Sequence, residues 1–139
     1  MADSLLPLEV DWLVYLFQQE TKFMKYLLLM YANESEAPKS PEELQAIADA
    51  WYAYMEEAKA ASVLLSNGGL EPSATATTVR VRNGKTLITD GPFAETHEQV
   101  GGYSVLDCKD LDEAIRWAEK IPTAKYGSVE ICPLWSPKQ

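Results

Sequence analysis

The 139-residue chain, 47% hydrophobic and 24% charged, is long enough for one domain with a real core. Its formal net charge of −9 argues against nucleic acid or an anionic membrane as a partner, because both would repel it. Cys108 and Cys132 are the only cysteines, without CxxC spacing or a nearby histidine, so no zinc site is grouped and two reduced thiols in a cytoplasmic protein are expected.

Residues 1–23 differ in character from the rest of the chain. Leu5 to Phe17 is apolar but broken by Glu9 and Asp11, which makes it too short and too charged to span a bilayer. It also lacks the basic start and small-residue cleavage site of a secretory signal. Leu5, Leu8, Trp12 and Leu16 share one helical stripe, so the segment reads either as a docking helix or as a leader upstream of Met24.

Lys25 to Tyr31 is a nearly unbroken apolar run of strand length, which predicts a strand covered on both faces. Ser40-Pro41-Glu42-Glu43 then opens a helix, with Ser40 as cap, Pro41 at the first helical position and Glu43 completing a capping box. Leu44, Ile47, Trp51, Tyr54 or Met55, Ala58 and Ala61 trace its inner face. The Trp51/Tyr52/Tyr54 cluster suggests a ligand cage, although such a stripe is more often core. A short strand from Val63 is expected to stop at Asn67-Gly68-Gly69.

Thr78–Arg82 and Lys85–Thr89 flank Asn83-Gly84, the signature of a type I′ hairpin. Val79, Val81, Leu87 and Ile88 are its apolar residues. Arg80 and Arg82 share one side, where they could bind a carboxylate or phosphate or form a solvated face. Asp90-Gly-Pro-Phe93 is turn chemistry, and the loop it opens holds Glu95, Glu98 and His97, the only histidine. Gly101-Gly102 allow the backbone a bulge or a close approach. Tyr103 to Cys108 reads as a strand, Asp110 caps a second helix stopped by Pro122, and Gly127 to Trp135 is the last strand, at an edge because of Pro133.

Without the leader and the hairpin, the order is strand, helix, strand, strand, helix, strand. That is the α+β, ferredoxin-like βαββαβ arrangement, with both helices on one face of an antiparallel sheet. Because Tyr26–Met30 does not alternate, something apolar is expected on the second face. A second subunit is the simplest cover and the leader stripe its rival.

The segments Met24-Lys-Tyr-Leu-Leu-Leu-Met-Tyr, Ser40-Pro-Glu-Glu, Ala74-Thr-Ala-Thr-Thr-Val-Arg, Asp90-Gly-Pro-Phe-Ala-Glu-Thr, Glu98, Gly101-Gly102-Tyr103 and Asp110-Leu-Asp-Glu-Ala resemble the YCII-related proteins, in particular the subgroup named for its Asp-Gly-Pro-Phe motif. The resemblance spans Met24 to Trp135 and implies a dimeric α+β barrel. It also implies either acid/base lyase or isomerase-like chemistry on a small organic acid, or a non-catalytic ligand-binding or regulatory module associated with a sigma-factor system. Asp90 and Glu95 match the subgroup's motif. His97 stands where the subgroup commonly has lysine, so its candidacy rests on its own titration range.

Asp90, Glu95 and His97 are therefore the candidate catalytic groups. Phe93 and Tyr103 are candidates for an apolar wall, and Arg80 and Arg82 for ligand binding. The competing reading makes Asp90 a turn cap and His97 a solvated side chain. No phosphate loop or dinucleotide fingerprint is present, so no cofactor is expected.

Overall fold

A computed structural model describes residues 24–136. The leader stripe of Leu5, Leu8, Trp12 and Leu16 lies outside them. The elements in chain order are β1 (Met24–Ala32), α1 (Pro41–Ala60), β2 (Leu64–Gly69), β3 (Thr77–Arg82), β4 (Lys85–Asp90), β5 (Gln99–Cys108), α2 (Leu111–Glu119) and β6 (Ser128–Pro133). Strands β2-β5-β1-β6 form one antiparallel sheet in that order, and β3-β4 form a separate two-stranded sheet. The fold is ferredoxin-like α+β, with the hairpin inserted between β2 and β5.

The central strand runs as its apolar composition predicts. Tyr26, Leu28 and Met30 are buried beneath the helices, while Leu27, Leu29 and Tyr31 on the other face are half-buried. Opposite β1, Leu106 and Cys108 of β5 also face the helices, and Val129 and Ile131 of β6 pack against the same core. Burying an aliphatic side chain such as Leu28 stabilises the fold by roughly 1.5–3 kcal/mol. The core therefore lies between the sheet and one layer of two helices. Leu27, Leu29 and Val105 form the middle of the uncovered face, in register with one another.

Both helices start as their sequences require. Ser40 Oγ accepts from Glu43 N at 3.1 Å, with Pro41 at the first helical position. Asp110 Oδ1 accepts from Glu113 N at 2.9 Å. The buried stripe of α1 is shorter than expected, and that of α2 is short as well. On α1 only Tyr54 and Ala58 are fully buried, with Trp51 and Met55 partly so, and Leu44 is exposed. On α2, Leu111 and Ile115 are exposed, while Ala114, Ala118 and the following Ile121 fill the core. Glu57 and Lys120 pair between the helix layer's ends.

Two strand boundaries differ from expectation. β2 continues through Asn67-Gly68-Gly69, and β5 begins at Gln99. Glycine does not end these strands because each is paired: Gly68 with Tyr103 and Gly69 with Gly102. A register shift in β1 between Met30 and Tyr31 leaves Gly101 as the extra residue, the bulge that Gly101-Gly102 permits. The last strand stops at Pro133, leaving Trp135 beyond it and exposed.

The hairpin has the expected type I′ turn, with Asn83 at φ 52° and Gly84 at φ 74°. Val79 pairs with Ile88 and Arg80 with Leu87, so Leu87 joins the arginine face instead of the valine face. Cys108 and Cys132 are free thiols on opposite faces of the sheet, an arrangement that cannot form a disulfide. Burial and then the Glu113 carboxylate push the Cys108 thiol up to about 11, so it behaves as a small core residue. No helix among the described residues is long and apolar enough to cross a membrane.

Candidate functional site

Two concave sites flank the double-glycine bulge of β5. The first is the loop cleft, of about 550 Å³, walled by Phe93, Glu95, Thr96 and Gln99 of the Asp90–Glu98 loop and its exit and by Tyr31 and Ser73. The loop keeps its shape through several backbone contacts. Gly91, at φ 99°, donates its N–H to Ala76 O at 2.6 Å, and Thr78 Oγ1 donates to Gly91 O at 2.8 Å. Thr96 Oγ1 donates to Glu98 O, and Gln99 Nε2 donates to Thr96 O. Ser128 Oγ donates to Glu98 Oε1 at 2.9 Å, which fixes the loop's end to β6.

Glu34 anchors the far wall of this cleft, and nothing in the sequence singled it out. Its carboxylate accepts from both Ser73 N and Ser73 Oγ at 2.7 Å, and its own N–H donates to Gln99 Oε1 at 3.0 Å. One residue thus ties the turns at 34–36 and 73–75 to β5. Glu34→Ala should lower the unfolding free energy by about 1.5–3 kcal/mol, the range for hydrogen bonds to a charged group, with urea titration as the measurement. Because the site is exposed, the low end of that range is expected.

The sequence-derived candidates do not assemble as one constellation. Glu95 and Phe93 line the loop cleft; Asp90 and His97 are not among its lining residues. Phe93 is 79% exposed, an open flank in place of a closed wall. Asp90 is the last residue of β4, exposed and paired with Thr77, and among the described residues its carboxylate accepts no hydrogen bond. The capping role is therefore not filled by that side chain, and Gly91 N–H is satisfied by Ala76 instead. Asp90→Ala should change stability by less than about 0.5 kcal/mol, as ordinary surface substitutions do. A loss of one to two kilocalories in a denaturant titration would restore the cap.

His97 is exposed. Arg80 and Arg82 stand on the hairpin, where Arg82 Nη1 donates to the neighbouring Val81 O and, among the described residues, neither guanidinium meets a carboxylate. Neither arginine lines the loop cleft or the cavity beneath α1. Among the described residues no group of three or more His, Cys, Asp or Glu could hold a metal ion.

The second site is that cavity, of about 380 Å³, between α1 and the sheet. Its floor is backbone, because Gly68, Gly69, Gly101 and Gly102 contribute no side chains there. Its walls are Trp51 and Met55 of α1, Met30 of β1, and Thr123 and Tyr126 of the segment before β6. Tyr103, expected at the loop site, borders this cavity from β5, while its register with Leu29 directs its side chain to the uncovered face. Its ring lies over Gly68, where an added Cβ would come within 2.8 Å of Tyr103 Cε1. At Gly102 an added Cβ would sit 3.1 Å from Gly68 O, so the backbones of β2 and β5 approach closely.

Among the described residues no charged side chain lines this cavity. Its polar side chains are Asn67, directed at Met55 Sδ, with Thr123 and Tyr126. Trp51 is held edge-on to Tyr54 at 5.7 Å between ring centroids, and Tyr54 in turn to Trp117 at 6.5 Å. Of the three aromatic residues that suggested a cage, only Trp51 faces the glycine-floored cavity; Tyr54 is core and Tyr52 is exposed. Burial raises the Tyr54 phenol above its ordinary value, and the neighbouring Ser104 hydroxyl partly offsets this. Neither hydroxyl meets full hydrogen-bond geometry with a partner among the described residues. The cavity has room for a small planar molecule, but among the described residues no carboxylate, imidazole, amine or thiol lines it.

Comparison with known proteins agrees with this architecture. The model of the YCII-related domain matches residues 24–138. An uncharacterized protein of Rhizobium meliloti (strain 1021) is 37% identical over 114 residues, covering 80% of this chain and 92% of the relative. A four-stranded antiparallel sheet under two helices, with a match across nearly all of the described residues, makes this chain a member of the YCII-related family.

Proposed function

We propose that the chain is a binding module for a small, neutral, largely apolar organic molecule, seated in the glycine-floored cavity. The observation that carries this reading is that, among the described residues, no charged side chain lines a 380 Å³ cavity walled by Trp51, Tyr126, Met30 and Met55. That volume falls within the usual range for ligand sites, about 300–1,000 Å³. Aromatic and thioether walls suit a planar ring, and Asn67 and Thr123 can serve one polar substituent. An ionised carboxylate would lose its hydration there without gaining a charged partner. Acid/base chemistry on an organic acid is less well supported, since only Glu95 of the three candidate groups lines the loop cleft.

The Asp-Gly-Pro-Phe motif supports membership of the subgroup named for it, and the homodimer that this subgroup implies is part of the proposal. Its physical support is the half-buried apolar centre of the uncovered sheet face, Leu27, Leu29 and Val105, which a second copy would cover. A permanent interface of this kind should bury about 2,000 Å² or more in total.

Matched pairs of compounds test the ligand class. Benzyl alcohol and methyl benzoate should raise the melting temperature and give measurable heats of binding, whereas benzoate should not. Gly69→Leu should abolish the effect, because an added Cβ at Gly69 meets nothing within 4 Å and the side chain can occupy the cavity. Equal binding of benzoate, or undiminished binding by the leucine variant, would move the site to the loop cleft and favour acid/base chemistry.

A further inference from the structure

The apolar ligand proposed above leaves the loop cleft without a role, although its volume of about 550 Å³ is that of a ligand site. The serine, threonine and glutamine side chains that line it are already committed within the protein. Ser73 gives both its N–H and its hydroxyl to the Glu34 carboxylate at 2.7 Å. Thr96 Oγ1 donates to Glu98 O, Gln99 Nε2 donates to Thr96 O, and Gln99 Oε1 accepts from Glu34 N. Glu95 is different. Among the described residues its carboxylate accepts no hydrogen bond and meets no cation within ion-pair distance. Phe93, two residues before it, is 79% exposed and takes no part in the core. Half-buried Tyr31 brings a second ring to the cleft. The other lining residues are apolar, and no lysine, arginine or histidine is among them.

We propose that the loop cleft is a second binding site, for a small organic cation carrying an alkylated ammonium group. Aromatic rings attract such a cation, and the Glu95 carboxylate supplies the opposite charge. An ammonium that keeps its N–H groups needs several acceptors. Of the carboxylate and amide side chains lining the cleft only Glu95 is free to accept, so an alkylated ammonium, with few N–H groups or none, fits better. A carboxylate ligand meets the reverse situation. Glu95 stands in the wall and the Glu34 carboxylate directly behind Ser73, and both repel it. The formal charge of −9 draws cations to the protein in general, and the rings beside Glu95 make this cleft selective among them. The site goes beyond the apolar ligand seat and does not depend on it, since the two share no lining residue.

Choline and its uncharged carbon isostere, with tert-butyl in place of trimethylammonium, test this by NMR titration of ¹⁵N-labelled protein at low salt. Choline should shift the amide resonances of Tyr31 and of Phe93 to Thr96 saturably. The isostere should bind there about fivefold or more weakly, the combined size of an exposed cation–π contact and an exposed ion pair. Glu95→Gln and Phe93→Ala should each weaken choline binding by about threefold, and because both side chains are exposed both variants should fold. Glu56→Gln removes an exposed carboxylate of α1 that does not line the cleft, so it should leave the affinity unchanged. Gly69→Leu, which fills the other cavity, should leave it unchanged as well. Equal affinity for choline and the isostere, or wild-type affinity in either cleft variant, would overturn the cation site. So would an equal loss in Glu56→Gln, which would mean attraction by bulk charge alone. Choline binding lost in Gly69→Leu would place the cation in the glycine-floored cavity and overturn it too.

Discussion

Gly127→Ala is expected to leave little folded protein. A Cβ built at Gly127 would lie 2.0 Å from Tyr31 O, 3.1 Å from Tyr31 C and 3.2 Å from the Ala32 Cα. All three are backbone atoms of the central strand, which cannot turn aside as a flexible side chain can. Gly127 is also fixed from its own side, since its N–H donates to Thr123 O at 2.7 Å. Relief therefore requires β6 to part from β1 or the turn before it to open. Either loss should exceed about 4 kcal/mol, at the extreme of single-substitution effects, against a total stability of about 5–15 kcal/mol. Gly69→Ala is the control, because its Cβ meets nothing within 4 Å and its cost should stay within about 1 kcal/mol. Urea titration of the two variants should separate them widely. Equal stability would mean that β1 and the turn before β6 do not approach so closely.

The second large effect divides neighbouring residues of β1. Leu28 is fully buried between the sheet and the helices, opposite Ser104 and Ile131. Leu28→Ala should cost about 2–5 kcal/mol, the sum of lost burial and the cavity left behind. Leu29, on the uncovered face opposite Tyr103 and Glu130, has no such role in the monomer. Leu29→Asp places a charge beside Glu130 in the proposed interface, so it should dissociate the dimer while retaining a cooperative unfolding transition. Circular dichroism melts and sedimentation together read both outcomes. Two variants that unfold alike would show that the two faces are not distinct in the way the register implies.

Much of the fold was legible because local signals and pattern agreed. Ser40, Pro41 and Asp110 act at the helix starts as their chemistry requires, and Asn83-Gly84 makes the turn that positive φ demands. The order of elements then left few topologies. What misled was glycine. Asn67-Gly68-Gly69 looked like the end of a strand, yet the pairs with Tyr103 and Gly102 carry the ladder through it. Those pairings are long-range, so no local pattern contains them.

The same pairings make the cavity floor, which is why Trp51, Met55, Thr123 and Tyr126 could not be gathered from spacing alone. Trp51 was visible as part of an aromatic cluster, but its partners lie on other elements. Glu34 escaped notice because its role depends on a serine 39 positions away. The loop from Asp90 to Glu98 drew attention for its ionisable residues, and the fold disperses them. Glu95 turns to the cleft, Glu98 ties down β6's start, and Asp90 and His97 are exposed.

The ligand seat is the central claim, and methyl-labelled methionine offers the most direct view of it. Met30 and Met55 line the cavity, whereas Met24, exposed at the start of β1, does not. With methyl-¹³C methionine, titration with benzyl alcohol or methyl benzoate should move the Met30 and Met55 resonances together and leave Met24 in place. The Gly69→Leu variant should show neither movement on titration. Binding detected by calorimetry with Met30 and Met55 unmoved would contradict the proposed seat and place the ligand elsewhere on the protein.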